Sequence, residues 1–286
     1  MKKINIKILI IGSGYIGSRC AQEWRNEAIL SDKIINSIED VTDILEEFCP
    51  DVVLNAAGIV GKPNVDWCET NQLETIKGNT LLPLMIASAC AKKDVYLLHI
   101  GSGCIFYGQS PEPKGWKETD FANPEVVYTK SKYAADLALM NLPNVGIARI
   151  RMPIDNLPYR GNLIDKLTAY KQVVDVENSV TIIGDMIKVF YQLLTKRAGG
   201  IFHVTNPGSI RHKEILDLYR ELIDPQHENS WINEADLVDL GLAVKKRSSN
   251  ILQSKNLADL GITMRPIKEA LRQTLIDYAK NKRSDS

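Results

Sequence analysis

The chain has 286 residues, 44% hydrophobic and 24% charged, enough to bury the core of one large α/β domain or of a nucleotide domain with a smaller cap. Its 35 Lys and Arg balance 35 Asp and Glu, and the zero net charge argues against a binder of nucleic acid or of an anionic membrane, which carries a basic excess. Five cysteines, odd in number and without a Cys-x-x-Cys pair, point to a reduced, cytoplasmic protein with no zinc site and no disulfide framework.

Ile4 to Ile11, rich in β-branched residues, predicts a buried parallel strand. The Met1-Lys2-Lys3 start is only superficially like a signal peptide, because the apolar run is short, contains Asn5 and Lys7, and lacks a cleavage-type sequence. No stretch is long enough to cross a membrane. Gly12-Ser13-Gly14-Tyr15-Ile16-Gly17 follows and opens an amphipathic helix from Tyr15 to near Trp24. Its glycines permit a tight turn and let a pyrophosphate approach backbone amides at the helix start. A tight turn with no ligand is the alternative.

A second strand is expected at Lys33 to Asn36, where nucleotide specificity is usually set. It would end at Asn36-Ser37 without a carboxylate, which favours NADPH over NADH, although Glu39 and Asp40 are near. Val41 to Phe48 suits a helix, and Asp51 to Gly58 a third strand whose small Ala56-Ala57-Gly58 end lets an adenine–ribose unit lie against the backbone. Gly61 to Glu69 is a polar loop containing Trp67. A helix from Thr70 to Ala91 carries Asn79 in its middle, where Asn costs helix propensity unless it holds backbone or water.

Val95 to Ile100 reads as strand four, with His99 as a core histidine. Sites in open α/β sheets lie at the carboxyl ends of strands, which places Ser102 and Cys104 at a crevice. A Pro-rich loop leads to a helix from Tyr128 to Met140, in which Tyr128 and Lys132 stand one turn apart. A Lys beside a Tyr favours the phenolate. The pair alone is common in helices, and the Gly-rich turn gives it weight. Val145 to Ile150 is strand five. The fold class is therefore α/β, a Rossmann-type doubly wound parallel sheet over residues 1–152. A smaller substrate cap occupies 153–286, with 181–205 returning to the main sheet. The cap is expected to hold helices at Gly161–Tyr170, Gly184–Thr195, Arg211–Leu222 and Pro266–Lys280, and a strand at Ile201–Val204.

The Gly turn, Asn55-Ala56-Ala57-Gly58, Asn79, Ser102, Tyr128 and Lys132 stand in the order found in the extended short-chain dehydrogenase/reductases, which the chain resembles. Within them it is similar to the nucleotide-sugar branch typified by dTDP-4-dehydrorhamnose reductase, through Arg247-Ser248-Ser249-Asn250-Ile251-Leu252. The segments N-A-A-G-I-V-G-K-P-N-V-D-W-C-E, G-C-I-F, R-I-R-M-P-I and F-H-V-T-N-P-G look like the plant bifunctional nucleotide-rhamnose synthases. Those enzymes act on UDP-4-keto-6-deoxyglucose as 3,5-epimerase and 4-reductase. The family's turn is usually G-x-x-G-x-x-G, one residue longer than here.

The resemblance implies NADPH-dependent reduction, with Tyr128 protonating the oxygen at carbon 4, Ser102 polarising it, and Lys132 binding the nicotinamide ribose. Asn79 would support Lys132. Cofactor contacts would come from the turn at Gly12, Ser13, Gly14, Tyr15, Ile16 and Gly17, and from Asn36, Ala56, Ala57, Gly58, Asn79 and Met152. Lys62, Asn64, Trp67, Cys104 and Arg247 would line the sugar site. Epimerisation needs a base for each carbon beside the ketone. Cys104, two residues past Ser102, would share its side of an extended segment. Lys166 matches a Lys in the plant enzymes' equivalent helix. Alone, Cys104 reads as a small buried hydrophobe and Lys166 as a solvated lysine. The 4,6-dehydratase that supplies the keto sugar would be a separate enzyme, and the Tyr128 helix is of the kind through which this family forms a homodimer. No metal is implied. Two alternatives stay open: a reductase without epimerase activity, and a non-catalytic, reductase-like regulatory subunit.

Overall fold

The computed structural model describes residues 6–62 and 64–284. In chain order come β1 (Ile8–Ile11), α1 (Tyr15–Glu23), β2 (Ala28–Ser31), α2 (Ile38–Phe48), β3 (Val52–Asn55), α3 (Trp67–Thr70) and α4 (Gln72–Ile76). A π-helical turn (Lys77–Leu81), α5 (Leu82–Lys92), β4 (Tyr96–Ser102), a 3-10 turn (Gly103–Ile105), α6 (Val127–Leu139) and β5 (Val145–Ile150) follow. Then come β6 (Pro153–Ile154), α7 (Leu163–Ala169), β7 (Gln172–Val174), β8 (Glu177–Asn178), β9 (Thr181–Ile182), α8 (Ile183–Lys196) and β10 (Gly200–His203). The last elements are β11 (Ile210–Arg211), α9 (His212–Leu222), β12 (Ser230–Ile232), α10 (Asp236–Asp239), α11 (Lys255–Asp259) and α12 (Ile267–Ser284). Ile4 and Asn5, where the expected first strand begins, lie outside the described residues.

Two compact units share the chain. The first holds the residues up to Ile105 together with Pro124–Arg149 and Val189–Phe202. The second holds Phe106–Asn123, Ile150–Lys188 and the chain from His203 on. The sequence reading divides the chain at 152 and returns 181–205 to the main sheet; here Val189–Phe202 joins the first unit, and Phe106–Asn123 falls in the second.

The first unit is a Rossmann-type doubly wound α/β fold on a six-stranded sheet ordered β10-β5-β4-β3-β1-β2. β1 runs parallel to β2 and β3, and β3 parallel to β4. Every residue of β1, β3 and β4 is buried, the result of mainly apolar runs in strands covered on both faces. Alternate positions Leu9 and Ile11, Val53, Leu97 and Ile147 point to one face, where Val41, Ile44, Ile86, Cys90, Ala135 and Leu139 of α2, α5 and α6 cover them.

Two expectations for this unit are corrected. The second strand is β2 at Ala28–Ser31, not Lys33–Asn36. Ser37 and Asp40 instead form a capping box that starts α2: Ser37 Oγ accepts from Asp40 N at 3.1 Å, and Asp40 Oδ2 accepts from Ser37 N at 2.9 Å. Asn36 belongs to this cap, its N donating to the same carboxylate oxygen at 2.7 Å. The strand therefore ends before Asp32, a carboxylate 20 residues beyond Gly12. The helix expected from Thr70 to Ala91 is broken at Asn71 and contains the π-helical turn, in which Asn79 lies.

The second unit packs around Ile154, Ile164, Val173, Ile182, Ile215, Leu271 and Leu275. Short two-stranded pairs, β11 with β8, β12 with β7 and β6 with β9, stitch its connections. Among the described residues, no helix is long and apolar enough to cross a membrane.

Candidate active site

The glycine turn is shaped by its backbone. Gly12 has φ +107°, and a Cβ there would lie 2.4 Å from Ala57 N. A Cβ on Gly17 would lie 2.0 Å from Gly12 O, so this glycine lets α1 close onto the turn. Around Gly14, by contrast, nothing stands within 4 Å of an added Cβ. Gly14 is the N-cap of α1, no side chain caps it, and the first turn carries no acidic residue. A helix end without a side-chain cap, its positive dipole and open space at Gly14 suit the pyrophosphate of a dinucleotide. Ser13 is exposed, and Tyr15 and Ile16 are half-buried at the helix start. Ala56 and Ala57 abut the turn, Ala56 N donating to Ile11 O at 2.8 Å.

Ser102 closes β4, and its hydroxyl lies near enough to the Tyr128 phenol to hold its pKa down. The same Oγ accepts from Cys104 N at 3.2 Å. Cys104 lies in the 3-10 turn rather than the expected extended segment, yet its thiol is close enough to Tyr128 for a charge on sulfur to act on the phenol. Burial above all pushes the Tyr128 pKa up, with Cys104 adding and the Ser102 hydroxyl opposing. This corrects the expectation of a phenolate favoured by Lys132: the phenol is held protonated. Lys132 Nζ donates to Ile100 O at 2.7 Å. Desolvation lowers its pKa to about 8, against the pull of Asp136.

Asn79 is fully engaged, which explains an Asn inside a helical run. Its Oδ1 accepts from Ile59 N at 2.8 Å, and its Nδ2 donates to Ile59 O at 2.8 Å and to Ser131 Oγ at 3.2 Å. Thr80 Oγ1 donates to Ser131 O at 2.7 Å. The π-helical turn thus ties the loop after β3 to α6, and such turns recur at functional sites. Gly58 is in the same cluster: a Cβ there would lie 3.1 Å from Asn79 Oδ1 and 3.9 Å from Lys132 Nζ.

Four polar residues lie buried beneath. His99 Nδ1 accepts from Asn55 Nδ2 at 3.0 Å, and burial, then the Lys132 charge, hold the ring neutral. Asp136, on α6, accepts from Arg149 Nε at 2.8 Å. Sequence reading passed over Asp136, although its position one turn after Lys132 was the signal. It also passed over Glu69 as a support: Glu69 Oε1 accepts from Val127 N at 2.7 Å and so caps the first turn of the helix that carries Tyr128.

Of the expected sugar-site residues, Lys62 is exposed, and Asn64 Oδ1 accepts from Asp66 N at 2.8 Å. Trp67 opens α3, and Gly61 at φ +80° leaves it room, since a Cβ there would lie 2.8 Å from Trp67 Cβ. Lys166, Arg247 and Met152 belong to the second unit. Lys166 is in the last turn of α7. Met152, at φ +41°, packs against that unit's apolar core. Arg247 opens a segment pinned by Arg151, whose Nη1 donates to Ser248 Oγ at 3.0 Å and Nη2 to Ser248 O at 2.7 Å. Asn250 completes the hold, its Nδ2 donating to Phe106 O at 2.7 Å. Among the described residues, no group of three or more His, Cys, Asp or Glu could hold a metal.

Residues 7–280 match the family described as RmlD substrate binding domain. The chain is 35% identical over 264 residues, 90% of its length and 87% of the relative's, to the bifunctional dTDP-4-dehydrorhamnose 3,5-epimerase/dTDP-4-dehydrorhamnose reductase of Arabidopsis thaliana. A trifunctional UDP-glucose 4,6-dehydratase/UDP-4-keto-6-deoxy-D-glucose 3,5-epimerase/UDP-4-keto-L-rhamnose-reductase of the same plant is 31% identical over 99% of this chain, which spans 43% of that protein. The crystal structure of the L780 UDP-rhamnose synthase of Acanthamoeba polyphaga mimivirus superposes with a TM-score of 0.88 at 28% identity, covering 95% of this chain and 99% of that one. A dTDP-4-dehydrorhamnose reductase of Bacillus anthracis, solved with NADP, shares the fold at a TM-score of 0.80, 19% identity, and 97% and 100% coverage. With the fold, the glycine turn and the Ser102–Tyr128–Lys132 cluster, this match over nearly the whole chain shows that the protein belongs to the RmlD substrate binding domain family.

Proposed function

We propose that the protein is a nucleotide-sugar 3,5-epimerase and 4-reductase that converts UDP-4-keto-6-deoxyglucose to UDP-L-rhamnose with NADPH. The observation that carries the reading is the joint placement of Ser102, Cys104 and Tyr128, in which one phenol meets a nearby hydroxyl and a nearby thiol. A reduction needs the first two groups, and a thiol becomes useful when protons must also be moved on carbon. The plant relative, a dTDP-4-dehydrorhamnose 3,5-epimerase/dTDP-4-dehydrorhamnose reductase, supports the same pair of reactions, and the viral relative, a UDP-rhamnose synthase, supports the product.

A bound nicotinamide supplies hydride to carbon 4. Tyr128, held protonated by burial, delivers its proton to the oxygen at carbon 4 as the ketone becomes an alcohol. Ser102 donates to or accepts from that oxygen and fixes the phenol's direction. Lys132, held by Ile100 O, offers its ammonium to the nicotinamide ribose. Before reduction, the ketone acidifies the hydrogens on carbons 3 and 5. At each carbon one of Cys104 and Lys166 is proposed to remove the proton as the base while the other, in its protonated form, returns a proton to the opposite face, leaving no net change in atoms or electrons. A separate 4,6-dehydration must supply the keto sugar.

NADPH is the proposed reductant because relatives of this fold were solved with NADP and NADPH. Asp32, just past β2, narrows that preference, since a carboxylate there suits a ribose 2′-hydroxyl better than a phosphate. The test of the epimerase half is Cys104→Ser in deuterated water. We expect substrate exchange at one or both carbons to be lost while cofactor binding survives. Wild-type exchange in that variant would remove Cys104 from the chemistry.

A further inference from the structure

Asp136 lies one turn after Lys132 on α6, so the two side chains share a helix face. Its carboxylate is fully buried. One oxygen, Oδ2, accepts from Arg149 Nε at 2.8 Å, and both partners are shielded from solvent. The other, Oδ1, has no hydrogen-bond partner among the described residues. It is turned to Gly101, where a Cβ would stand 3.2 Å from it, 3.1 Å from Arg149 Cγ and 3.0 Å from Ile147. Gly101 sits between Ile100, whose carbonyl receives Lys132 Nζ, and Ser102, which lies near Tyr128. A buried carboxylate with an unused oxygen is costly unless charges nearby offset it. Burial raises the Asp136 pKa above the usual carboxylate range, and the charges of Arg149 and then Lys132 oppose that rise.

We propose that Asp136, clamped by Arg149 and given room by Gly101, is a positioning residue that keeps the Lys132 ammonium, held by Ile100 O, in its charged form. The inference rests on the reading above, in which Lys132 serves the reduction. The charged and titratable groups around Lys132 are few. Asp136 and Tyr128 share its helix, Arg149 reaches in from β5, His99 from β4 is neutral, and the Cys104 and Cys68 thiols lie toward the Tyr128 side. Only Asp136 supplies a negative charge that offsets the desolvation of Lys132.

The test follows Lys132 itself. Protein labelled with [13Cε]lysine is titrated by NMR, the Lys132 signal being the one lost in Lys132→Arg. We expect Lys132 to titrate about one pH unit or more lower in Asp136→Asn than in wild type, and Asp136→Glu to restore most of the shift. The alkaline limb of kcat/KM for keto-sugar reduction should move with it. An unshifted Lys132 in Asp136→Asn would overturn the proposal, and so would a shifted Lys132 with an unmoved limb in an active enzyme. If the wild type turns over no keto-sugar nucleotide, the functional reading fails, and the NMR titration alone decides the Asp136–Lys132 link. Should Asp136→Asn not fold, the 13Cγ shift of Asp136 in wild type decides: an ionised carboxylate at pH 7 supports the proposal, and a protonated one overturns it.

Discussion

At the scale of single residues, the chemistry depends on groups whose charge is set by burial. Tyr128 is kept as a phenol, which suits a proton donor to a developing alkoxide. Tyr128→Phe should lower kcat for reduction by about a hundredfold or more while leaving the cofactor dissociation constant within about threefold; comparable kcat in the two proteins would remove Tyr128 from proton delivery. Lys132 carries a stability signature of its own. Folded, it loses its proton near pH 8, against an ordinary value of 10.5, so the unfolded chain holds more protons between those values. Stability should therefore rise with pH across about 8 to 10.5. Lys132→Met abolishes that rise, and urea denaturation series at several pH values should show the two curves converging by about 3 kcal/mol at most. Parallel curves would show that Lys132 is not desolvated. Asp32 belongs to this scale too: Asp32→Ser should shift the ratio of kcat/KM values toward NADPH by about tenfold, whichever cofactor leads at the start.

At the scale of elements, the turn into α1 and the start of α6 matter most. Gly12→Ala places a Cβ against Ala57 at a positive φ and should destabilise the fold by more than about 1 kcal/mol. Gly14→Ala meets open space at φ −66°. It should leave stability within about 0.5 kcal/mol of wild type yet weaken cofactor binding, because the methyl occupies the approach of the pyrophosphate. Calorimetry of both variants checks this, and unchanged affinity in Gly14→Ala would argue against the turn as the phosphate site. Glu69 holds the first turn of α6 by one hydrogen bond. Glu69→Ala should cost about 1 kcal/mol and lower kcat through Tyr128, whereas Glu69→Gln, which keeps an acceptor, should retain most of both. Equal losses in the two variants would show that the charge, not the cap, is what α6 uses.

At the scale of the whole molecule, the alternation of strand and helix was legible because parallel strands buried on both faces leave continuous apolar runs, as in Ile8–Ile11 and Val52–Leu54. Spacing and resemblance together single out Ser102, Tyr128 and Lys132, and the structure sets Ser102 near Tyr128. The second strand was misplaced because Ile34 and Ile35 imitate a β-run; Ile34 is 84% exposed, and the Ser37–Asp40 box that starts α2 was overlooked. The interruption at Asn79 was not foreseen, because a π-helical turn depends on partners 20 and 52 residues away, Ile59 and Ser131. The supports supplied by Glu69 and Arg149 are long-range in the same way, and no local pattern announces them. In the second unit, the short strand pairs are two or three residues long, below the reach of any periodicity.

The central claim is that one chain performs both epimerisation and reduction. Its most direct test is incubation with UDP-4-keto-6-deoxyglucose in deuterated water, with and without NADPH, followed by NMR. The account predicts deuterium at carbons 3 and 5 in both samples, and UDP-L-rhamnose only where NADPH is present. No exchange and no product from that substrate, with reduction of a pre-epimerised keto-rhamnose nucleotide, would contradict it and leave a reductase alone.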